Sequence, residues 1–88
     1  MEHRRIPNSL KKYRRMAGLS QKQVAAKLGI KKTNCICIWE KGYCLPATKY
    51  FLQLCLLYRA SPENLYAELV QGLKEKLFAH SEPISSNE

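Results

Sequence analysis

The chain has 88 residues, a hydrophobic fraction of 45% and a formal net charge of +8. A chain of this length forms one small domain with a modest core. No apolar run approaches the roughly 18 residues that cross a bilayer, and the basic N-terminus lacks the apolar segment of a signal peptide. We therefore expect no membrane association and a cytoplasmic setting.

The positive charge is concentrated in the first half of the sequence. Residues 1–49 contain twelve Lys and Arg against two Glu, whereas residues 50–88 contain three Lys and Arg against five Glu. A basic surface that only aids solubility would not be divided in this way. A polyanion that faces the first half of the chain accounts for the division better.

The first predicted elements are a basic arm over residues 1–7 and a helix that follows it. Asn8 or Ser9 is the expected N-cap, and the helix runs to about residue 17, where Gly18 ends it. The helical spacing predicts four inward side chains: Leu10, Tyr13, Met16 and Ala17.

Two short helices around a turn come next. Ser20 and Gln23 form an S-x-x-Q capping box at the start of the first, which spans about residues 21–28, and Gly29 stands where a C′ glycine belongs. The second spans about residues 33–40, with Thr33 as its candidate cap, because a glycine and a proline follow closely. This pattern over about residues 20–40 is typical of a DNA-reading helix-turn-helix.

A fourth helix is predicted over about residues 47–58, and a fifth begins at Ser61, with Pro62 at its first position. Leucines at i+4 intervals extend the fifth helix through Leu77. The predicted fold is therefore all-α, with five helices in one domain over residues 8–79. Residues 80–88 are rich in Glu, Ser and Asn, and we expect a flexible tail there.

An ordered set of residues resembles the Cro and phage-repressor type of helix-turn-helix protein, the XRE family of bacterial and phage regulators. The resemblance covers roughly residues 10–66 and rests on Arg14, Gly18-Leu19-Ser20-Gln21, Val24-Ala25, Leu28-Gly29-Ile30, Ile36, Trp39-Glu40-Lys41-Gly42 and Pro46. It implies a lambda-repressor-like DNA-binding domain, here with an extended C-terminal helix. It also implies that the helix at about residues 33–40 reads the major groove of double-stranded DNA.

Several side chains are candidates for this interface. Asn34 suits adenine edges, Lys32 suits guanine or phosphate, and Gln21 suits a phosphate near a helix N-terminus, although it could be a simple surface glutamine. The full candidate set is Arg5, Gln21, Lys31, Lys32, Thr33, Asn34, Cys37, Ile38, Lys41 and Tyr43. The resemblance further implies a structural pair between Arg14 and Glu40.

The recognition helix departs from the family pattern, because Cys35, Cys37 and Ile38 stand where polar residues are common. Readout would then depend on thymine methyl groups, on DNA shape or on the arm in the minor groove. Alternatively, this face of the helix packs on protein. The four cysteines lack the spacing of a zinc site, and we expect Cys35, Cys37, Cys44 and Cys55 to be reduced and partly buried.

The end of the fifth helix predicts a dimer. Leu65 and Leu69 should cover the core, whereas Leu73, Leu77 and Phe78 lie beyond it and are candidate dimerisation residues. The leading hypothesis is a sequence-specific transcriptional regulator, a repressor that binds DNA as a homodimer without a cofactor or enzymatic activity. The alternatives are a protein-interaction module, an antitoxin with a protein partner, and a thiol-based redox or metal sensor on the same fold.

Overall fold

The computed structural model describes residues 5–79, which form six helices and no strand. The predicted all-α fold is confirmed. The helices are α1 (Leu10–Met16), α2 (Gln21–Leu28), α3 (Asn34–Lys41), α4 (Thr48–Tyr58), α5 (Pro62–Leu65) and α6 (Ala67–Leu77). The first four residues of the predicted arm and the predicted tail over residues 80–88 lie outside the described residues.

The helix-turn-helix boundaries follow from local backbone chemistry. The Oγ of Ser20 accepts a hydrogen bond from the Gln23 N–H at 3.0 Å, and the Oε1 of Gln23 accepts from the Ser20 N–H at 2.8 Å, which completes the predicted capping box. Gly29 ends α2 with a left-handed φ of 76°. Thr33 precedes α3, but its side chain makes no capping hydrogen bond.

The core lies between the first five helices. Its buried members are Leu10, Val24, Ala25, Leu28, Ile36, Trp39, Leu54, Tyr58, Ala60, Leu65 and Tyr66. The Ser9 N–H donates to the carbonyl oxygen of Leu65 at 2.8 Å, which joins the start of α1 to the end of α5.

The inward face predicted for α1 is wrong at its C-terminal end. Met16 and Ala17 are exposed, and the helix instead buries Leu10 and Arg14. Arg14 takes the inward position one turn after Leu10. The helix ends at Met16, so Ala17 stands past its last turn.

The predicted fifth helix is divided into α5 and α6 at Tyr66, whose φ of −131° and ψ of 51° are not helical. Successive residues of a continuous helix point about 100° apart. The break allows both Leu65 and Tyr66 to enter the core, where each is buried. Beyond the break, α6 buries none of its residues, and Leu73, Leu77 and Phe78 are exposed.

Candidate nucleic-acid interface

A buried ion pair fixes the end of α3 against α1. The Nε of Arg14 donates to Oε2 of Glu40 at 2.6 Å, and its Nη2 donates to Oε1 at 3.2 Å. The Nη1 of the same guanidinium donates to the carbonyl oxygen of Leu19 at 3.0 Å, in the segment between α1 and α2. The hydrogen bond with Glu40 raises the pKa of Arg14, although burial opposes this shift. One guanidinium therefore connects α1, the α1–α2 segment and α3.

Gln21 belongs to the same network. Its Nε2 donates to Oε1 of Glu40 at 3.0 Å, so its side chain is oriented by the ion pair rather than free on the helix surface. Because Gln21 is the first residue of α2, Glu40 also sets the position of α2 relative to α3. The two helices of the turn are thus held at a fixed separation by a carboxylate in the last turn of the second.

The chain before α1 is attached to the other side of the α3 terminus. The Ile6 N–H donates to the carbonyl oxygen of Gly42 at 2.8 Å. The Nδ2 of Asn8 lies 3.3 Å from the carbonyl oxygens of both Trp39 and Glu40, which are in the last turn of α3. At the same time the Oδ1 of Asn8 accepts from the Leu10 N–H at 3.0 Å, at the start of α1.

Arg5 continues this segment onto the loop after α3. Its Nη2 donates to the hydroxyl of Tyr43 at 3.1 Å, and its guanidinium carbon lies 4.7 Å from the centre of the Tyr43 ring. This is a cation–π contact between two exposed side chains. The described part of the basic arm therefore lies beside the C-terminal end of α3.

The exposed surface of α3 and its flanking loops carries most of the predicted polar site. Lys31 and Lys32 are exposed in the turn, and Asn34 is exposed at the first position of α3. Lys41 and Tyr43 are exposed at the other end. The polar surface thus follows the helix from its first turn to the loop after it.

The remaining candidates are less accessible. Thr33, Cys37 and Ile38 are only partly exposed, and Ile38 packs against the hydrophobic core, as does Cys35. The unusual apolar residues of α3 therefore serve the protein's own packing to some extent. Cys44, by contrast, is exposed rather than partly buried, and all four cysteines are free thiols.

The fold and the turn can now be set beside known proteins. Residues 10–34, which comprise α1, α2 and the start of α3, match a family model described as Helix-turn-helix. Over these residues the chain resembles an XRE-type helix-turn-helix. The match supports a DNA-binding role in transcription regulation, and the matched family is generally non-enzymatic. No curated protein and no solved structure matches the chain.

Sequence reasoning missed the second role of Asn8 in this helix-turn-helix protein. The residue was a candidate cap for α1, and its oxygen does accept from the Leu10 N–H, but its amide group also contacts α3. Nothing in local spacing indicates a partner more than thirty residues away.

Within residues 5–79 no group of three His, Cys, Asp or Glu residues could hold a metal ion. No helix of that range is long and apolar enough to span a bilayer.

Proposed function

We propose that the protein is a dimeric transcriptional repressor that acts in the cytoplasm and reads a specific double-stranded DNA sequence with α3. The observation that carries this proposal is the combination of an exposed polar first turn of α3 with a buried Arg14–Glu40 pair at its end. A side chain distinguishes bases only if the helix that presents it keeps its position in the groove.

The proposed contacts fall into two groups. Phosphates would be bound by the half-buried Gln21 and by exposed side chains on both sides of α3: Arg5, Lys31, Lys32, Lys41 and Tyr43. Base edges would be contacted by Asn34 and Thr33, with Cys37 and the exposed part of Ile38 against thymine methyl groups. The first group would supply most of the affinity, and the second would supply the sequence preference.

A dimer follows from the small size of one reading surface. A single recognition helix contacts few base pairs, whereas two related helices about one DNA turn apart read a palindrome. We propose that Leu73, Leu77 and Phe78 form this two-fold contact, because they are exposed on the helix that contributes no buried residue.

The first test measures DNA affinity at several salt concentrations on duplexes selected from a random pool. We expect a steep linear fall of log affinity with log salt, because several phosphates are neutralised. Lys32→Ala should weaken binding to every duplex and lower the salt slope by about 1. The matched control is Lys74→Ala, which removes an exposed lysine from α6 and should leave the affinity unchanged.

The second test addresses base reading. Asn34→Ala should relax the preference at one position of the selected site by about 1–3 kcal/mol, if Asn34 makes a bidentate base contact. An unchanged preference would move base reading away from the first turn of α3. A flat salt dependence of the wild-type protein would contradict DNA binding itself.

The alternative of a protein-interaction module rested on the apolar character of α3. Because Cys35 and Ile38 pack in part against the core, that character does not require a partner at this face. An antitoxin would use the same DNA surface and would add a protein contact elsewhere on the molecule.

A further inference from the structure

A second apolar surface lies on α1 and α4. Leu56 on α4 is 79% exposed, and Met16 at the end of α1 is 69% exposed. Two grooves adjoin these residues. One of about 300 Å³ is lined by Lys27, Leu28, Gln53, Leu56 and Leu57, and one of about 430 Å³ is lined by Tyr13, Met16, Ala17, Leu57, Tyr58 and Arg59. Because both grooves share Leu57, they form one continuous surface, which we call the α1–α4 surface.

The charges around the α1–α4 surface are all of one sign. Lys27 lines one groove and Arg59 lines the other, and both side chains are exposed. No acidic residue is among those that line the two grooves. The lining therefore offers cations with no carboxylate beside them.

This charge pattern decides which occupant fits. A second copy that applied the same surface would bring cations against cations, and like charges across an interface oppose association. DNA would neutralise the cations but would gain nothing from Met16 and Leu56, because its outer surface is polar phosphate and sugar. An occupant that is both apolar and acidic meets both requirements.

Arg59 supplies a second, independent observation. It ends α4 with φ 53° and ψ 48°, and it is the one non-glycine residue among residues 5–79 with a positive φ. Glycine adopts this left-handed conformation without the steric cost that a side chain carries. An arginine kept at a position where glycine would be more stable indicates that its guanidinium has a use.

We propose that the α1–α4 surface binds an acidic amphipathic helix of a partner protein. The apolar face of that helix covers Met16, Leu56 and Leu57, and carboxylates beside it pair with Lys27 and Arg59. This contact does not depend on DNA binding. Since it uses neither the exposed polar residues of α3 nor the exposed leucines of α6, the partner and DNA occupy separate surfaces.

The experiment uses two short fluorescein-labelled peptides with the full protein. Both carry leucines at positions i, i+3, i+4 and i+7, and the remaining positions are Glu in one peptide and Lys in the other. We expect fluorescence anisotropy to show saturable binding of the Glu peptide and none of the Lys peptide. Leu56→Asp should weaken that binding at least tenfold, whereas Leu45→Asp, at an exposed leucine in the loop before α4, should not change it.

Arg59→Gly separates a binding role from a structural one. The variant should lower the affinity for the Glu peptide several-fold. Its melting temperature should stay the same or rise, because glycine relieves the left-handed strain. Three outcomes would overturn the proposal: failure to bind the Glu peptide, equal binding of both peptides, or equal weakening by Leu45→Asp. So would a loss of dimer mass in Leu56→Asp by sedimentation, since a second copy would then occupy the surface.

DNA affinity of the same variants distinguishes this proposal from the proposed function. Leu56→Asp should bind DNA as the wild type does. If the wild type binds the Glu peptide but no DNA, the repressor proposal is wrong, whereas the proposal that the α1–α4 surface binds an acidic helix is supported.

Discussion

The two ion pairs of the described chain differ in surroundings, and the difference separates two regions of the molecule. Arg14 and Glu40 have side chains that are 11% and 4% exposed, and they join α1, α2 and α3. Lys74 and Glu63 have side chains that are 54% and 62% exposed, and they join α6 to α5. The first region holds α3 in place. The second contains α6, a helix without buried residues beside the core. Rigidity is thus concentrated where bases would be read.

The largest expected effect is on the buried pair. Glu40→Ala should lower the free energy of unfolding by about 3–5 kcal/mol, because it leaves the Arg14 charge buried without its partner. Gln21 also loses the acceptor of its amide hydrogen bond. Urea unfolding followed by circular dichroism measures the change.

Two control variants sharpen this comparison of the pairs. Lys74→Ala breaks the exposed pair and should change stability by less than about 1 kcal/mol. The double variant Arg14→Ala with Glu40→Ala should lower the free energy of unfolding by less than the sum of the two single variants, because neither charge is then left without its partner. Additive losses would mean that the two side chains do not act as a pair.

The second expected effect compares two leucines in the two regions. Leu65 is 0% exposed and Leu77 is 73% exposed. Leu65→Ala should lower the free energy of unfolding by about 2–5 kcal/mol, because it leaves a cavity in the core. Leu77→Ala should change it by no more than about 0.5 kcal/mol at a protein concentration low enough to keep the chain monomeric.

The same Leu77→Ala variant tests assembly. Sedimentation equilibrium should show a weaker dimer than the wild type, since the proposed two-fold contact loses part of its apolar area. A wild-type chain that stays monomeric at high concentration would place no interface on α6. A variant that dimerises as the wild type does would move the interface to another surface.

The third expected effect compares two glycines with nearly the same backbone conformation. Gly42 has φ 81° and Gly29 has φ 76°. Gly29→Ala should lower the free energy of unfolding by about 1–2 kcal/mol, which is the strain of a side chain in the left-handed region. No further loss is expected, because no atom lies near the added Cβ. Gly42→Ala should cost more, since its Cβ would meet the backbone of Ile6.

Thermal unfolding of both glycine variants measures this difference. DNA binding provides a second measurement, because displacement of Ile6 would move Arg5 away from Tyr43, whereas Gly29 is remote from that segment. Equal losses of stability at the two positions would mean that Ile6 does not pack against Gly42 in solution.

The smallest expected effect concerns the buried tyrosines. Burial raises the pKa of Tyr58 and of Tyr66 from 10.0 to about 12 in the folded protein. Stability from these groups is therefore complete below pH 10 and is lost as the pH rises from 10 to 12. Tyr66→Phe should remove part of this alkaline loss in melting temperature.

At neutral pH, Tyr66→Phe should be neutral or slightly stabilising. The Tyr66 hydroxyl is buried without a hydrogen-bond partner within residues 5–79, so its removal sacrifices no hydrogen bond there. A clear loss of stability at neutral pH would show that the hydroxyl has a partner in solution, such as a water molecule.

Local signals in the sequence were sufficient for the helix-turn-helix. The Ser20–Gln23 capping box and Gly29 act within a few residues of themselves, so their spacing predicts the structure that they form. The pairing of Arg14 with Glu40 spans 26 positions, and it was accessible only through resemblance to a family.

Features that depend on the assembled core could not be predicted. A leucine stripe through Leu77 is compatible with one continuous helix, and only the burial of Tyr66 beside Leu65 explains why the chain breaks there. Similarly, helical spacing cannot show that Met16 lies past the edge of the core. At the candidate site, residue type predicts that Asn34 contacts bases and that Lys32 contacts guanine or phosphate, and both contacts stay predictions. Only the structure shows that Ile38 packs partly inward.

The contacts of residues 6–9 have a consequence for protein synthesis. Ile6 bonds to Gly42, and Ser9 bonds to Leu65 through its backbone N–H. A chain made from its N-terminus must therefore complete α3 before the first of these bonds forms, and α5 before the second. On a ribosome, residues 6–9 emerge before α3 and α5, and the start of α1 lacks its bond to Leu65 until α5 has been translated.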